Sequence, residues 1–338
     1  MNVARLGLDS LRSEPTTHAQ HAQVLRECRE IMQHNSKSFS LAARLLPSRS
    51  RDQAAAVYAF CRRVDDAIDG APPEAQDQAL AGLYDELERI YRGETLAEPA
   101  LRAFQAVVQT SALPRRYPAE LIEGMAMDVH GTRYETLDHL LRYCHCVAGV
   151  VGLMMCHVFG LTRDEALLNA AHLGIGMQLT NICRDVEEDW GLGRLYLPRE
   201  LLDAAGAHSL GVPGKDPFPS VEQTLRAICK VTQTLLLEAD RYYDSAERGI
   251  PALPFRAGLA VGAARKLYHA IGLVVAAQGF DPRAERAVVP TRRKLQLLAR
   301  AVARHVIKLP QVTIRRARAG EHVRTPRREL SFPEDVLS

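Results

Sequence analysis

Two short stretches of this chain carry aspartates at a spacing that could bind cations. In YAFCRRVDDAID (58–69), Asp65 and Asp69 stand four residues apart. On a helix that leaves about 40° and about 6 Å between them, so both carboxylates share a face. Arg62 lies on that face one turn earlier. The second stretch, QLTNICRDVEED (178–189), sets Gln178, Asn181, Asp185 and Asp189 at steps of three, four and four. They draw one polar stripe along a helix whose preceding turns, AAHLGIGM (170–177), are apolar. A polar stripe pointing toward a core is costly unless something pairs with it.

A solvated helix face would account for either pair alone. Like charges at i, i+4 mildly destabilise a helix, however, and a base is the commoner occupant. Two such pairs, each beside an arginine (Arg62, Arg184) and each following apolar sequence, argue for a shared ligand. All-oxygen donors favour a hard cation, and a few carboxylates suit magnesium held partly by substrate phosphates. A di-iron bundle would need Glu-x-x-His pairs, which these stretches lack. Facing aspartate pairs therefore suggest magnesium ions clamping a diphosphate, with the arginines completing the neutralisation. Cys144-His145-Cys146 lacks zinc-site spacing and has no second half, so it reads as buried thiols.

The elements that must position these groups are helical. Segments near 20–35, 50–69, 76–92, 99–112, 118–130, 136–159, 163–190, 219–247, 256–278 and 291–308 are rich in Ala, Leu, Arg, Glu and Gln at helical apolar spacing. Gly70-Ala71-Pro72-Pro73, Gly160 and Asp281-Pro282 punctuate them, and 204–218 reads as a loop. No run alternates as a strand would. The division is a flexible segment 1–20, one helical domain over 21–309, and a basic, partly disordered tail over 310–338 that could meet anionic lipid headgroups.

Composition sets further bounds. With 47% hydrophobic and 25% charged residues the chain is ordinary for a globular protein, and a formal charge of +3 gives no case for nucleic acid. Seven cysteines in apolar stretches, without framework spacing, argue against a secreted disulfide scaffold. The N-terminus has no apolar signal region, and 147–161 is short for a membrane span, so a cytoplasmic compartment is expected.

The motifs together resemble those of the squalene and phytoene synthase family over about residues 21–308. They are HNSKSF (34–39), YAFCRRVDDAID, GMAMD (124–128), TRYETLDHLLRYCHCVAGVVGLM (132–154) and QLTNICRDVEEDWGLGRLYLP (178–198). GMAMD with VAGVVGLM is closer to the phytoene-forming members than to the squalene- or dehydrosqualene-forming ones.

The resemblance implies an all-α, single-domain bundle of antiparallel helices around a deep central cavity. It implies magnesium, with manganese able to substitute, on Asp65, Asp69, Asn181, Asp185 and Asp189. Ser36, Ser38, Arg62, Gln178, Arg184 and Tyr268 would contact diphosphate or its hydrated metal, with Tyr58 and Tyr143 near the reacting carbons. His145 replaces a second aromatic common among relatives and is expected as a polar or aromatic wall. The apolar segments 147–161 and 271–277 are expected to house the prenyl tails.

The implied reaction joins two geranylgeranyl diphosphates through prephytoene diphosphate to phytoene, without NADPH. Peripheral membrane contact and a downstream desaturase are implied partners. Dehydrosqualene, squalene or hydroxysqualene synthesis from farnesyl diphosphate stays open. So do a cyclase of the related isoprenoid fold and a non-catalytic helical assembly factor, although the latter's aspartate motifs would be degraded.

Overall fold

A computed structural model describes residues 15–338 other than 320, 327, 331, 333–335, 337 and 338. Most of the expected flexible segment 1–20 therefore lies outside the described residues. Fourteen α-helices follow in order: α1 (Pro15–Asn35), α2 (Lys37–Ala43), α3 (Ser48–Asp69), α4 (Gln76–Arg92), α5 (Pro99–Ser111), α6 (Arg116–Val129), α7 (Leu137–Cys144), α8 (Val150–Phe159), α9 (Ala166–Arg184), α10 (Val186–Gly191), α11 (Arg199–Ala205), α12 (Glu222–Gly249), α13 (Phe255–Ala277) and α14 (Thr291–Ala319). Among the described residues the one β-bridge joins Leu161 to Arg324.

The long helices follow from apolar periodicity and their stop signals. α4 buries Leu80, Leu83, Leu87 and Ile90 along one side, and Gly93 ends it at φ 73°. α2 and α11, seven residues each, are too short to show a period and were not anticipated. Ser36 caps α2 by accepting from the Phe39 amide at 3.2 Å. The expected helix over 136–159 is interrupted by a π-turn at His145–Gly149. The one expected over 163–190 breaks at Asp185, whose φ of −111° separates α9 from α10.

Helix α9 touches α8 and the π-turn before it backbone to backbone, because a glycine stands at each close approach. A Cβ on Gly152 would stand 2.3 Å from the Ala170 carbonyl oxygen, and one on Gly174 2.1 Å from that of Ala148. The stretches Leu137–Phe159 and Phe255–Ala277 are long and apolar enough to cross a membrane by length and composition, but the first is 67% buried inside the protein.

The described part of the 310–338 tail contacts the body of the protein at several residues. α14 runs on to Ala319, and beyond it Arg324, Leu330, Phe332 and Val336 contact the bundle while Val323 stays half-exposed. Arg324 exchanges backbone hydrogen bonds with Leu161 (2.7 and 2.8 Å) and pairs with Asp164 at 3.0 Å. Leu330 and Val336 are buried, Phe332 stacks on His145, and His172 Nε2 donates to the Val336 carbonyl at 2.8 Å. Single apolar side chains seated in separate sockets hold this segment, an attachment that carries no periodicity. The side chains of Arg315, Arg316 and Arg318, and all of Arg327, lie outside the described residues.

Candidate active site

A cavity of about 290 Å³ lies between α3, α8, α9 and α13, with α1, α2 and α12 closing it. One face of each helix supplies its wall. α8 and its π-turn give Val147, Val151, Met155 and Phe159, each four residues on. α9 gives Leu173 and Met177, then changes character to Gln178 and Asn181. α13 contributes Ala260, Val261, Ala264 and Tyr268. The expected wall at 271–277 is therefore one to two turns too far along: that part of α13 lies outside the lining.

The polarity of the lining changes toward one end. On α3, Tyr58 and Cys61 line the cavity, and Asp65 and Asp69 follow at the next two turns. On α9, Gln178 and Asn181 line it, and Asp185 follows at the helix end. α6 also ends here, at Asp128 and Val129. Three helices thus direct their C-terminal, partially negative ends and their aspartates at one place. Such a centre attracts cations, and would repel a diphosphate unless cations came with it.

The carboxylates differ in how their charge is met. Burial raises Asp65 to about 7, Arg62 relieving it in part while Asp69, Asp66 and Asp128 add repulsion. Burial likewise raises Asp189 to about 7, with Asp185 pushing it further and Arg194 opposing. Asp128 is also raised by burial, against Arg194 and two tyrosine hydrogen bonds. These mutual influences place both aspartate pairs around Asp128. Burial works against ionising Asp185 too, but Arg184 and Arg286 overcome it and hold its carboxyl below the usual range. Arg286 donates to both Asp185 oxygens at 3.0 and 3.1 Å, and Arg184 Nε donates to Oδ1 at 2.7 Å.

Among the described residues no three acidic, histidine or cysteine groups close round one point tightly enough to hold an ion. Arginines occupy the carboxylate oxygens instead: Arg194 donates to Asp69 at 2.7 Å, and Arg62 pairs with Asp66. The donor set still fits magnesium. It is oxygen-only, and burial and neighbouring acids leave the Asp65 and Asp189 carboxylates short of compensating positive charge.

Around this centre burial raises the Tyr268 hydroxyl's pKa, and the nearby Arg184 and Ser36 oppose that rise. Phe39 stands 5.1 Å from the Tyr268 ring and 6.1 Å from that of Tyr58. Asn181 donates to Gln178 at 3.3 Å. Ser38 is buried within α2. The sequence-predicted residues Ser36, Tyr58, Arg62, Gln178, Asn181, Arg184 and Tyr268 are thus gathered at the cavity's polar end.

Two residues sit elsewhere. Tyr143 is off the apolar wall: its hydroxyl donates to Asp128 at 2.9 Å, beside Tyr196, which donates to the other Asp128 oxygen at 2.8 Å. His145 is fully buried and off the wall, with Nε2 3.2 Å from Glu120 Oε2. Two residues advance a helix by about 200°, so His145 faces away from the side Tyr143 serves.

Sequence reasoning missed Asp128, Arg194, Tyr196 and Arg286. Asp128 and Tyr196 lay within GMAMD and GLGRLYLP, but a lone acid or aromatic there has no spacing partner to betray it.

The squalene/phytoene synthase family pattern matches residues 32–293. Phytoene synthase of Rhodobacter capsulatus is 42% identical over 276 residues, covering 80% of this chain and 79% of that protein. The 15-cis-phytoene synthase of Enterobacter agglomerans is 38% identical, covering 81% and 96%. A crystal structure of a dehydrosqualene synthase superposes with a TM-score of 0.75 at 29% identity, covering 84% of this chain and 97% of that one.

Proposed function

Since the chain belongs to the squalene/phytoene synthase family, we propose that it joins two molecules of geranylgeranyl diphosphate head to head to give phytoene, without a reductant. The observation that carries the reading is the convergence of Asp65, Asp69, Asp128, Asp185 and Asp189 at the polar mouth of an apolar cavity. The relatives named phytoene synthase are more alike in sequence than the dehydrosqualene synthase.

In this reading Asp65, Asp69, Asn181, Asp185 and Asp189 hold magnesium, whose charge supports departure of diphosphate. Arg62, Arg184, Ser36, Ser38, Gln178 and Tyr268 bind and orient the diphosphates. The cavity walls align the two prenyl chains and exclude water from cations that water would quench.

The C1–O bond of the first substrate breaks, diphosphate leaves with the electron pair, and an allylic cation remains. The double bond of the second substrate attacks C1, and a proton is lost as the cyclopropane of prephytoene diphosphate closes. Loss of its diphosphate, ring rearrangement and loss of a second proton give phytoene. The first condensation makes the two new ring C–C bonds as one diphosphate and one proton leave, and the second releases the other diphosphate and proton, so the sum is two substrates to phytoene, two diphosphates and two protons. Tyr58 and Tyr268 line the cavity, and in this reading their ring faces would stabilise a cation that leaves the diphosphate end.

The test is to incubate the full chain and magnesium with geranylgeranyl or farnesyl diphosphate, with and without NADPH, and identify the hydrocarbon. Phytoene from the longer substrate without NADPH is expected. A thirty-carbon product from farnesyl diphosphate in preference would replace this reading with dehydrosqualene or squalene formation, and no released diphosphate would leave a non-catalytic role.

A further inference from the structure

Helix α14 is chemically unlike the rest of the chain. Its 29 residues, TRRKLQLLARAVARHVIKLPQVTIRRARA, contain nine lysines and arginines and no aspartate or glutamate. In a chain with 43 basic and 40 acidic residues, that separation of charge leaves one element strongly positive. Among the described residues Arg292, Arg293 and Arg300 make no ion pair with an acid; Arg304 reaches Glu247 at 3.5 Å.

The apolar residues of α14 are not all used for packing. Ala301 is buried against the body, where α14 lies on α13. Leu295, Val306 and Ile307 remain 53%, 50% and 75% exposed. At 100° per residue, Leu295, Ala299, Val306, Ala303 and Ile307 span about 120° of the outer side, and Arg300, Arg293 and Arg304 fall next to them. Arg292 and Gln296 lie within the apolar arc. The outward surface is therefore a greasy strip edged by guanidiniums, on a helix that already has its packing face elsewhere.

We propose that this outer face of α14 docks on an anionic lipid bilayer, with Leu295, Val306 and Ile307 entering the headgroup region and Arg293 and Arg300 on lipid phosphates. Charge complementarity selects this occupant over a second copy of the chain, because two acid-free helices would repel each other along their length. The inference stands on the helix surface and not on the substrate reading.

The position of α14 gives the contact a use. Its first turn adjoins the diphosphate end of the cavity. Arg286, five residues ahead of it, holds Asp185, and Lys294 lies close enough to Lys37, beside Ser36, for the two charges to repel. Docking would set the cavity mouth near the membrane surface, where chains with long apolar tails concentrate.

The test is sedimentation of the full chain with phosphatidylcholine vesicles, with or without phosphatidylglycerol. Binding should require phosphatidylglycerol and weaken with salt. The surface variant Val306→Glu/Ile307→Glu and the variant Arg293→Glu/Arg300→Glu should each lower partitioning by at least about tenfold, at unchanged helicity and unchanged turnover of soluble substrate in detergent. Equal partitioning of both variants and the parent chain would overturn the proposal, as would salt-insensitive binding to phosphatidylcholine alone. A dimer in solution that Ile307→Glu dissociates would overturn it in favour of a second copy.

Discussion

Arg194 donates to Asp69 across 2.7 Å while its own backbone amide donates to the Asp189 carbonyl at 2.8 Å. One residue of the loop after α10 thereby ties the end of α3 to the second aspartate pair. Burial disfavours its charge, but the bond it donates to Asp69 and the nearness of Asp128 hold the guanidinium firmly protonated.

Replacing this arginine should separate the two pairs. Arg194→Gln is expected to lower turnover roughly a hundredfold, the scale seen when one preorganised electrostatic partner is removed. It should also make the metal-free chain less heat-stable, as Asp69, Asp128 and Asp189 lose a shared cation. Steady-state kinetics and thermal melts without magnesium read both effects. Normal turnover would show that the bridge is only a resting arrangement.

The aspartates themselves should matter far more for chemistry than for folding. Asp185→Ala, and separately Asp65→Asn, should cut turnover by about a thousandfold or more while far-ultraviolet circular dichroism stays unchanged. Near-normal turnover in either variant would discredit the metal assignment.

Magnesium should stabilise the chain most where the acids are ionised. Burial and neighbouring acids raise Asp65 and Asp189 to about 7, above an unfolded value of about 4. The folded chain binds these protons more tightly, so their contribution to stability falls as pH rises from about 4 to about 7. Asp185 runs the other way. Its folded value is lowered, so its stabilising contribution is present above the unfolded pKa and fades as pH falls through the folded one. A cation between Asp65 and Asp189 removes the penalty these two acquire on ionising. Magnesium should therefore raise the melting temperature clearly at about pH 8 and little at about pH 5. Equal shifts at both pH values, by scanning fluorimetry, would place the ion elsewhere.

Much of this was legible beforehand, and the exceptions share a cause. The aspartates of α3 and α9 show a helical period, so their common face could be read from spacing alone. Asp128 and Arg194 act through α6 and a loop that meet those helices only in three dimensions. The Asp185 break and the π-turn at His145–Gly149 shift a face by a fraction of a turn, below what apolar periodicity resolves. His145 is a different case: its expected place on a wall rests on the aromatic that relatives carry there, and its ring meets Glu120 instead. The glycines of α8 and α9 are a middle case: their presence is plain in the sequence, but their purpose needs the facing carbonyls.

Those glycines allow a paired stability test. Gly174→Ala puts a methyl 2.1 Å from the Ala148 carbonyl oxygen, a backbone atom that cannot yield cheaply. It should cost about 3 kcal/mol or more by pushing α8 from α9, and should narrow the cavity both helices line. Gly82→Ala on α4 meets nothing within 4 Å, so the same chemical change should stabilise by about 0.5–1 kcal/mol through helix propensity. Urea unfolding of both variants decides it; similar effects would mean that α8 and α9 are not so closely apposed.

The C-terminal segment offers a last test of whether its single-residue attachments stabilise the bundle. Leu330 is only 3% exposed, and its amide meets the Tyr117 hydroxyl at 3.4 Å, so its side chain occupies a socket in the body rather than solvent. Truncating a buried leucine removes its transfer free energy and leaves a cavity, so Leu330→Ala should cost about 2–3 kcal/mol if the segment is docked. The same change in a solvated tail would cost almost nothing, because the side chain would be equally wet in both states. Val336→Ala, at 1% exposed and beside the His172 contact, should cost about 1–2 kcal/mol. The two sockets lie on different helices, α6 and α9, so the losses should add in the double variant. A segment that released as a unit would instead show the first loss and little of the second, since the second side chain would already be in water. Chemical denaturation of the three variants separates these outcomes, and no loss in any of them would return the segment to the solvated tail that its composition suggests.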